Sequence, residues 1–284
     1  IVQRAAASQE RINEFLKKQS QIVSGPTKAL NIAGKLEFRN VSFTYPNGKN
    51  LVLDNINFVI EPGNTLAIIG RTGSGKSTIA DLVARMYDPV KGEILLDGVT
   101  LRDYELSSLR AHIGYVPQEV FLFSDTIANN ISFGIETGAD FNRIKKAAEN
   151  AHVHHNIETF KDGYSSVMGE RGLTLSGGQK QRISIARALI REPKILLLDD
   201  CLSAVDTETE ATILNNLKQI MASNTTIITS HRISSIQHAD EIIVLDQGKI
   251  IERGSHENLL KNKASYFTLY KKQLTENSQQ PYSV

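Results

Sequence analysis

Apolar and polar residues along the first third of the chain predict three strands and a helix. Residues 35–45 and 52–60 alternate apolar with polar side chains, which is typical of strands with one buried face. Residues 65–69 are almost continuously apolar, which indicates a strand that is buried on both faces. A glycine-rich turn follows, and then a helical pattern over 76–86.

The remaining pattern predicts an α/β fold. A hairpin-like pair of strands surrounds Asp97-Gly98, a strand covers 113–117, and residues 118–190 are mostly helical. Further strands are predicted at 194–198, 225–228, 241–244 and 249–252, and a closing helix at 257–273. Strands that alternate with helices favour a largely parallel sheet covered on both faces. A helical block between core strands is expected to form its own subdomain.

The N-terminal segment predicts a helix over residues 5–21, in which Ile12, Phe15 and Leu16 share one face. Two interpretations stay open, a surface helix packed on this domain or the cytosolic end of a helix from an upstream domain. Residues 26–34 then indicate a linker.

Composition limits the class of protein. Of the 284 residues, 40% are hydrophobic and 22% are charged, which is ordinary for a globular domain. The net charge of +1 argues neither for nor against a polyanionic partner. The single cysteine, Cys201, excludes an internal disulfide. No apolar run reaches the roughly 20 residues of a membrane-spanning helix, and the start at Ile1 predicts a fragment of a longer chain.

The strongest chemical signal is a phosphate-binding loop placed between the strand at 65–69 and the following helix. It fits G-x-x-x-x-G-K-[ST], a spacing whose glycines and helix N-terminus turn N–H groups toward phosphate oxygens. Lys76 is expected to bind the β- and γ-phosphates of ATP, and Ser77 to bind Mg²⁺. The predicted nucleotide-binding residues here are Gly70, Arg71, Thr72, Gly73, Ser74, Gly75, Lys76, Ser77 and Thr78.

A second signal is the acidic pair at the end of the strand over 194–198. Asp199 is predicted to hold Mg²⁺, and Asp200 lies where an acid would polarise the attacking water. Two acids at a strand end can also cap a helix, but the phosphate-binding loop makes the catalytic interpretation the stronger one.

A third motif, Leu175-Ser176-Gly177-Gly178-Gln179, resembles the signature sequence of ATP-binding-cassette (ABC) ATPases. Serine and bare glycine N–H groups at a helix start form a further anion cradle. Two phosphate sites in one domain predict a head-to-tail dimer, in which each signature contacts the ATP on its partner's phosphate-binding loop. Ser176, Gly177, Gly178 and Gln179 are therefore predicted ATP contacts.

The resemblance covers residues 35–273 and implies a P-loop NTPase (RecA-like) parallel-sheet core with an antiparallel β subdomain and an inserted helical subdomain. It also implies four further roles. Tyr45 stacks on adenine, Gln118 reaches Mg²⁺ and the attacking water, and His231 contacts the γ-phosphate. Residues 203–206 resemble the loop that faces its twin across the dimer. Asp200, His231, Gln118 and Lys76 are the catalytic residues that the resemblance predicts.

Two segments resemble exporters more than importers, residues 121–131 and residues 169–172. The implied organisation is a lead-in helix and linker over 1–34, an ATPase domain over 35–274 and a polar tail over 275–284. A transmembrane domain fused upstream of Ile1 and a second nucleotide-binding domain are the implied partners, with no nucleic acid. The domain would lie at the cytoplasmic face of a membrane.

Asp200 departs from the family pattern, which usually has glutamate after the metal-binding aspartate. Aspartate is shorter by one methylene, about 1.5 Å of bond length, and misplacing a catalytic group by ~1 Å can cost ~10²-fold in rate. One hypothesis is therefore a slow site that acts as an ATP clamp in a heterodimeric exporter, and the other is a homodimeric motor that uses aspartate. A non-transport ABC ATPase is a third, weaker hypothesis, because this chain has one cassette and a compact helical insert.

Overall fold

Two β-sheets organise the computed structural model, which describes residues 2–17, 20–46, 48–135, 138–169 and 173–278. The strands are β1 (Leu36–Phe43), β2 (Leu53–Ile60), β3 (Thr65–Gly70), β4 (Lys91–Leu96), β5 (Val99–Thr100), β6 (Ile113–Val116), β7 (Ile195–Asp199), β8 (Thr225–Ser230), β9 (Glu241–Asp246) and β10 (Lys249–Gly254). The helices are α1 (Val2–Lys17), α2 (Lys76–Val83), α3 (Leu106–Ala111), α4 (Ile127–Ile131), α5 (Phe141–Asn150), α6 (His154–Glu158), α7 (Gly177–Leu189), α8 (Thr207–Ala222), α9 (His256–Asn262) and α10 (Ser265–Ser278).

The first sheet is antiparallel and has the strand order β2-β1-β4-β5. Alternating burial along β2 confirms a strand with one buried face. Its inner face packs against the second sheet in a core that contains Phe38, Phe58 and Leu66. Phe38 and Phe58 are cross-strand partners whose rings stack at a centroid distance of 4.3 Å, so the register of β1 against β2 is fixed by an aromatic pair.

The second sheet has the order β10-β9-β3-β8-β7-β6, and every neighbouring pair except β10–β9 is parallel. Every residue of β3, β7 and β8 is buried, and for β3 and β7 the continuous apolar runs predict this burial. Because the strands are parallel, the carboxyl ends of β3, β6, β7 and β8 lie along one edge. The predicted α/β fold with an antiparallel sheet and a helical insert is confirmed.

The helical insert lies between β6 and β7 and comprises α4 to α7. Its apolar residues, among them Ile131, Ile144, Ile157 and Ile183, join the core on the far face of the mixed sheet. Arg187 ties the insert together because its guanidinium donates to the main-chain oxygen of Asn130 at 2.7 Å. The stretch 118–190, which the sequence predicts to be mostly helical, begins with an irregular loop and is helical from Ile127 onward, with loops between its helices.

The N-terminal helix α1 leaves its apolar face exposed. The side chains of Ile12, Phe15 and Leu16 are 52%, 80% and 74% exposed. This exposure argues against the interpretation of α1 as a helix packed on the domain. The linker that follows is irregular but not loose, because Ala29 and Ile32 are buried in the core between the sheets.

The predicted closing helix is in fact two helices, α9 and α10. They are separated at Lys263, whose positive φ of 52° ends α9 in the left-handed conformation. Helix α10 continues to Ser278, so the start of the predicted tail at residue 275 is helical. Residues 279–284 lie outside the described residues. No helix within the described ranges is both long enough and apolar enough to cross a membrane.

Candidate functional site

The loop between β3 and α2 wraps around the ammonium group of Lys76. Its Nζ atom donates to the main-chain oxygens of Gly70 at 2.9 Å and Arg71 at 3.1 Å. Lys76 is only 6% exposed, and burial lowers its pKa while Asp200 and Asp199 act against that shift. A buried cation bound only to carbonyls in these contacts is poised to exchange them for an anionic ligand.

Gly75 is the position in this loop at which glycine is most strongly required. It precedes α2 with a φ of 105°, a region that L side chains rarely adopt. A Cβ there would also lie 2.7 Å from Cδ2 of Leu53 and 3.1 Å from the carbonyl oxygen of Val52. Gly73 has a φ of 80° but open space around the position of a Cβ. The loop is therefore tight on its inner side and open on its outer side.

The hydroxyl of Ser74 supports an anion in this loop. Its Oγ is buried and has no hydrogen-bond partner among the described atoms, although a buried hydroxyl ordinarily has one. Ser74 precedes the N-terminus of α2, where N–H groups and the helix dipole favour negative charge. Arg71, Thr72 and Gly73 form the exposed side of the loop. These residues fit a bound phosphate group.

Ser77 and Asp199 bring two hard oxygen ligands together. The hydroxyl of Ser77 donates to Oδ1 of Asp199 at 3.1 Å, and the hydroxyl of Thr229 donates to the same oxygen. Hydroxyl and carboxylate oxygens are the protein ligands that Mg²⁺ takes beside phosphates. The donor set therefore fits Mg²⁺, as the sequence predicts for both residues.

Asp200 is held at the end of β7 in a strained backbone conformation. Its φ is 44°, and its N–H donates to the main-chain oxygen of Thr229 at 3.0 Å. The side chain is buried, and Nε2 of Gln118 donates to its Oδ2 at 3.4 Å. Burial raises the pKa of Asp200, while His231 and Lys76 oppose that rise. A carboxyl with a raised pKa is the better proton acceptor.

His231 completes this group at the end of β8. Burial lowers its pKa, the Lys76 charge lowers it further, and Asp200 and Asp199 act in the opposite direction. A lowered pKa keeps the imidazole neutral near pH 7, so it can both donate and accept a hydrogen bond. The structure thus brings together the predicted residues Lys76, Ser77, Gln118, Asp199, Asp200 and His231.

Tyr45 lies beside the start of α2. Its hydroxyl is within 2.9 Å of Oγ1 of Thr78, and its ring meets those of Phe43 and Tyr87 edge to face. Thr78 is buried and already engaged by this contact. The adenine-stacking role of Tyr45 and the nucleotide contact of Thr78 both stay predictions.

The signature motif forms the N-terminus of α7. Oγ of Ser176 accepts from the N–H of Gln179 at 3.2 Å, and Oε1 of Gln179 accepts from the N–H of Ser176 at 2.9 Å, which is a capping box. Ser176 and Gly177 are exposed, so the start of the helix faces outward. Exposed N–H groups at such a start suit an anion.

Within one chain, the signature motif contacts the loop over 201–206 rather than the phosphate-binding loop. A Cβ at Gly178 would lie 3.1 Å from the main-chain oxygen of Ala204, and Oε1 of Gln181 accepts from the N–H of Ala204 at 3.3 Å. Among the described residues, no hydrogen bond joins Ser176 to Lys76. The two anion cradles of this chain are therefore separate, as the head-to-tail prediction requires.

Two residues that tie the loops together were missed by the sequence analysis, Arg232 and Glu210. The guanidinium of Arg232 donates to Oε2 of Glu210 at 3.0 Å, to the oxygen of Val205 at 3.1 Å and to the oxygen of Ser203 at 3.0 Å. The only available signal was the position of Arg232 beside His231. Of the predicted motif over 169–172, residues 170–172 lie outside the described residues.

Comparisons with known proteins agree with this geometry. A family model described as ABC transporter matches residues 53–203. The ATP-dependent lipid A-core flippase of Pseudomonas fluorescens is 46% identical over 268 residues, which cover 94% of this chain and 45% of the flippase. The protein of the same description from Pseudomonas aeruginosa is 45% identical over 280 residues, which cover 99% of this chain and 46% of the relative. The chain spans about half the length of the curated relatives it matches.

A solved structure shares the fold. A bacterial Atm1-family ABC exporter with ATP bound matches with a TM-score of 0.89 and 39% identity, over 96% of this chain and 48% of that chain. The flippases and the exporter agree with the exporter-type resemblance of residues 121–131.

Proposed function

Because the chain belongs to the ABC transporter family, we propose that it is the nucleotide-binding domain of an exporter, which binds and hydrolyses MgATP to drive transport. The observation that carries this proposal is the convergence of Lys76, Ser77, Asp199, Asp200 and His231 at the carboxyl edge of one sheet. Phosphoryl transfer to water requires a phosphate-binding loop, oxygen ligands for a cation and a carboxylate that can accept a hydrogen bond from the attacking water.

Each residue has a distinct proposed task. Lys76 leaves its two carbonyl partners for the β- and γ-phosphate oxygens, and the loop N–H groups and Ser74 hold the remaining oxygens. Ser77 and Asp199 hold Mg²⁺, which neutralises charge on the phosphate oxygens when it is bound. Gln118 orients the attacking water, Asp200 accepts a hydrogen bond from it, and His231 contacts the γ-phosphate.

We further propose that the catalytic unit is a head-to-tail dimer. The separation of Ser176 from Lys76 within one chain supports this arrangement, because a partner's α7 then supplies the second anion cradle. The loop over 201–206 packs on the signature motif and follows Asp200 in the chain, and Oγ of Ser203 donates to the main-chain oxygen of Asp200 at 2.8 Å. Closure of the dimer would thus be sensed at Asp200 through a short covalent and hydrogen-bonded path.

The proposed organisation places a membrane domain upstream of residue 1 and this domain at the cytoplasmic face of the membrane. Support comes from relatives about twice as long as the chain and from the exposed apolar face of α1. The relatives are described as lipid A-core flippases, so an amphipathic lipid is the proposed class of cargo. Selectivity for that cargo is assigned to the membrane domain and not to residues of this chain.

The test is the ATPase rate of the domain and of the full-length protein with Lys76→Ala and, as a matched control, exposed Lys161→Ala. Lys76→Ala removes the proposed contact between the ammonium group and the phosphate oxygens, and turnover is expected to fall by about 10²-fold. Lys161→Ala should keep the native rate. Hydrolysis that survives Lys76→Ala, or that is absent from the native full-length protein, would refute the proposal.

A further inference from the structure

The C-terminal helix α10 contacts the loop that carries His231 through one side chain, that of Gln273. Its Nε2 donates to the main-chain oxygen of His231 at 2.6 Å, and its Oε1 accepts from the N–H of Ile233 at 2.9 Å. These two hydrogen bonds hold the main chain at the residues on either side of Arg232. The Gln273 amide thus forms the hydrogen bonds that a neighbouring strand would form with these main-chain groups inside a sheet.

The helix that presents Gln273 is itself well anchored. Tyr266 is fully buried near its start, and Nδ1 of His256 lies 2.7 Å from the Tyr266 hydroxyl. Oε1 of Glu252 accepts from the N–H groups of Ser265 and Tyr266, which caps the first turn. The amide of Gln273 is therefore delivered to the loop by a fixed element.

The loop has reason to need this support. Strand β8 ends at Ser230, so the main chain at His231 has left the ladder of the sheet. The side chain of Arg232 points to Glu210 and to the loop over 201–206, which holds the loop on that side. Gln273 holds the main chain of the same segment from the side of α10.

We propose that Gln273 is a positioning residue, which fixes the main chain of His231 so that its imidazole stays in register with Asp200 and the γ-phosphate. The proposal rests on the ATP hydrolysis proposed above. It assigns to α10, outside the motifs that bind nucleotide, a direct part in setting turnover. Gln273 does not contact Lys76, Ser77 or Asp199 in the described contacts, so it acts through His231.

Variants at this position separate the two bonds. Gln273→Glu keeps an acceptor for the N–H of Ile233 but places a carboxylate against the carbonyl of His231, while Gln273→Leu keeps the approximate size and loses both bonds. A displacement of His231 by less than ~1 Å is expected to lower kcat about tenfold in either variant. KM for ATP should change less than about twofold, because the phosphate-binding loop is untouched.

The first measurement is kcat and KM for ATP in the full-length protein with both variants. Exposed Gln219→Leu on α8 is the matched control and should retain native values. The double variant Gln273→Leu with His231→Ala then tests the route of action. If Gln273 works through His231, adding Gln273→Leu to His231→Ala should lower kcat little below that of His231→Ala alone. Losses that multiply, or native kcat in Gln273→Leu and Gln273→Glu, would overturn the proposal.

Hydrogen exchange of the nucleotide-free protein provides a readout that does not depend on hydrolysis. The Ile233 amide should exchange faster in Gln273→Leu than in the native protein, whereas Gln273→Glu should largely retain its protection. Unchanged exchange in Gln273→Leu would overturn the positioning role even in an active protein. An inactive native protein would instead refute the proposed ATPase while leaving this exchange test decisive for the contact.

Discussion

The side-chain amide of Gln118 lies 3.4 Å from the carboxylate of Asp200, so the residues that follow β6 and β7 meet at the edge where β3 and β8 also end. The distance is long for a hydrogen bond and marks a contact that can tighten when a ligand arrives. Both residues hold their positions through the sheet, because β6 and β7 are parallel neighbours. The reach of the Asp200 carboxylate toward a bound water is thus set by the length of its side chain and by the position of its main chain.

Asp200→Glu is expected to raise the hydrolytic rate. The added methylene extends the carboxylate by about 1.5 Å, and we expect a gain of about tenfold in single-turnover rate if aspartate falls short of the water. The rate is measured by rapid quench with the native protein and with Asp199→Glu, in which the cation ligand is displaced and the rate should fall. A rate in Asp200→Glu no higher than the native one would show that aspartate already reaches the water, and would remove the basis of the ATP-clamp hypothesis.

Asp200→Asn is expected to raise the free energy of unfolding near pH 7. Burial raises the pKa of Asp200, so the folded state disfavours its charge, and the penalty is present once the pH exceeds the folded-state pKa. Asparagine removes the charge and tolerates the φ of 44°. The gain should shrink as the pH falls through the folded-state pKa and should vanish below the unfolded-state pKa of about 3.9, where the carboxyl is neutral in both states.

Asp206→Asn is the matched control and should behave in the opposite way. Main-chain N–H groups at the start of α8, that of Thr209 first, hold the pKa of Asp206 below its usual range. Its stabilising charge is present above the unfolded-state pKa and is lost as the pH falls, so Asp206→Asn should be destabilising at pH 7 and neutral in acid. Thermal unfolding of both variants from about pH 2.5 to about pH 8 is the measurement, since this range extends below the unfolded-state aspartate pKa of about 3.9. Two curves of the same sign would contradict these assignments.

Two glycines of the phosphate-binding loop should differ in their tolerance of alanine. Gly73→Ala meets no atom within 4 Å and bears only the cost of its positive φ, about 1 kcal/mol. Gly75→Ala adds a clash with Leu53 and the Val52 carbonyl, which costs about 1–3 kcal/mol more. Denaturant unfolding and ATP affinity are the measurements, and Gly75→Ala should also bind ATP more weakly. Equal losses at the two positions would show that the loop adapts freely.

Arg232→Met is expected to lower the free energy of unfolding by about 2–3 kcal/mol, because Glu210, whose side chain is 2% exposed, loses its cation and keeps only the hydroxyls of Ser234 and Ser235 as donors. Arg253→Met breaks a pair of similar length with Glu241 on the surface and should cost less than about 1 kcal/mol. Chemical denaturation of the two variants gives the comparison. If Arg253→Met were the more costly change, burial of Glu210 could not be what makes the Arg232 contact important.

Much of the fold follows from local pattern. The continuous apolar residues of β3 and β7 predict strands buried on both faces, and the spacing of Gly70, Gly75 and Lys76 predicts the phosphate-binding loop after β3. These features are readable because each depends on neighbours a few positions away. The side chains at Asp199 and Asp200 follow for the same reason, since a parallel strand must end at the ligand edge.

Contacts across long stretches of chain could not be predicted in the same way. Gln273 lies in an ordinary helical pattern, and nothing in that pattern indicates the loop it holds. Arg85 is 2% exposed and donates to the Val23 and Tyr104 oxygens, whereas an arginine in sequence favours the surface. Ala29 and Ile32 pack in the core from a segment whose proline and glycine indicate only a linker. These placements depend on tertiary contacts with residues that are distant in the sequence.

The order of strands in the mixed sheet has a consequence for synthesis on the ribosome. Thr65, at the start of β3, pairs with Thr226, and Leu66 pairs with Glu241, so the strand that leads into the phosphate-binding loop receives both neighbours only from the last quarter of the chain. A nascent chain that carries the whole loop still lacks the sheet that shapes it. A product truncated before β8 would therefore be an unfolded segment for proteases to remove, and not an unregulated consumer of ATP.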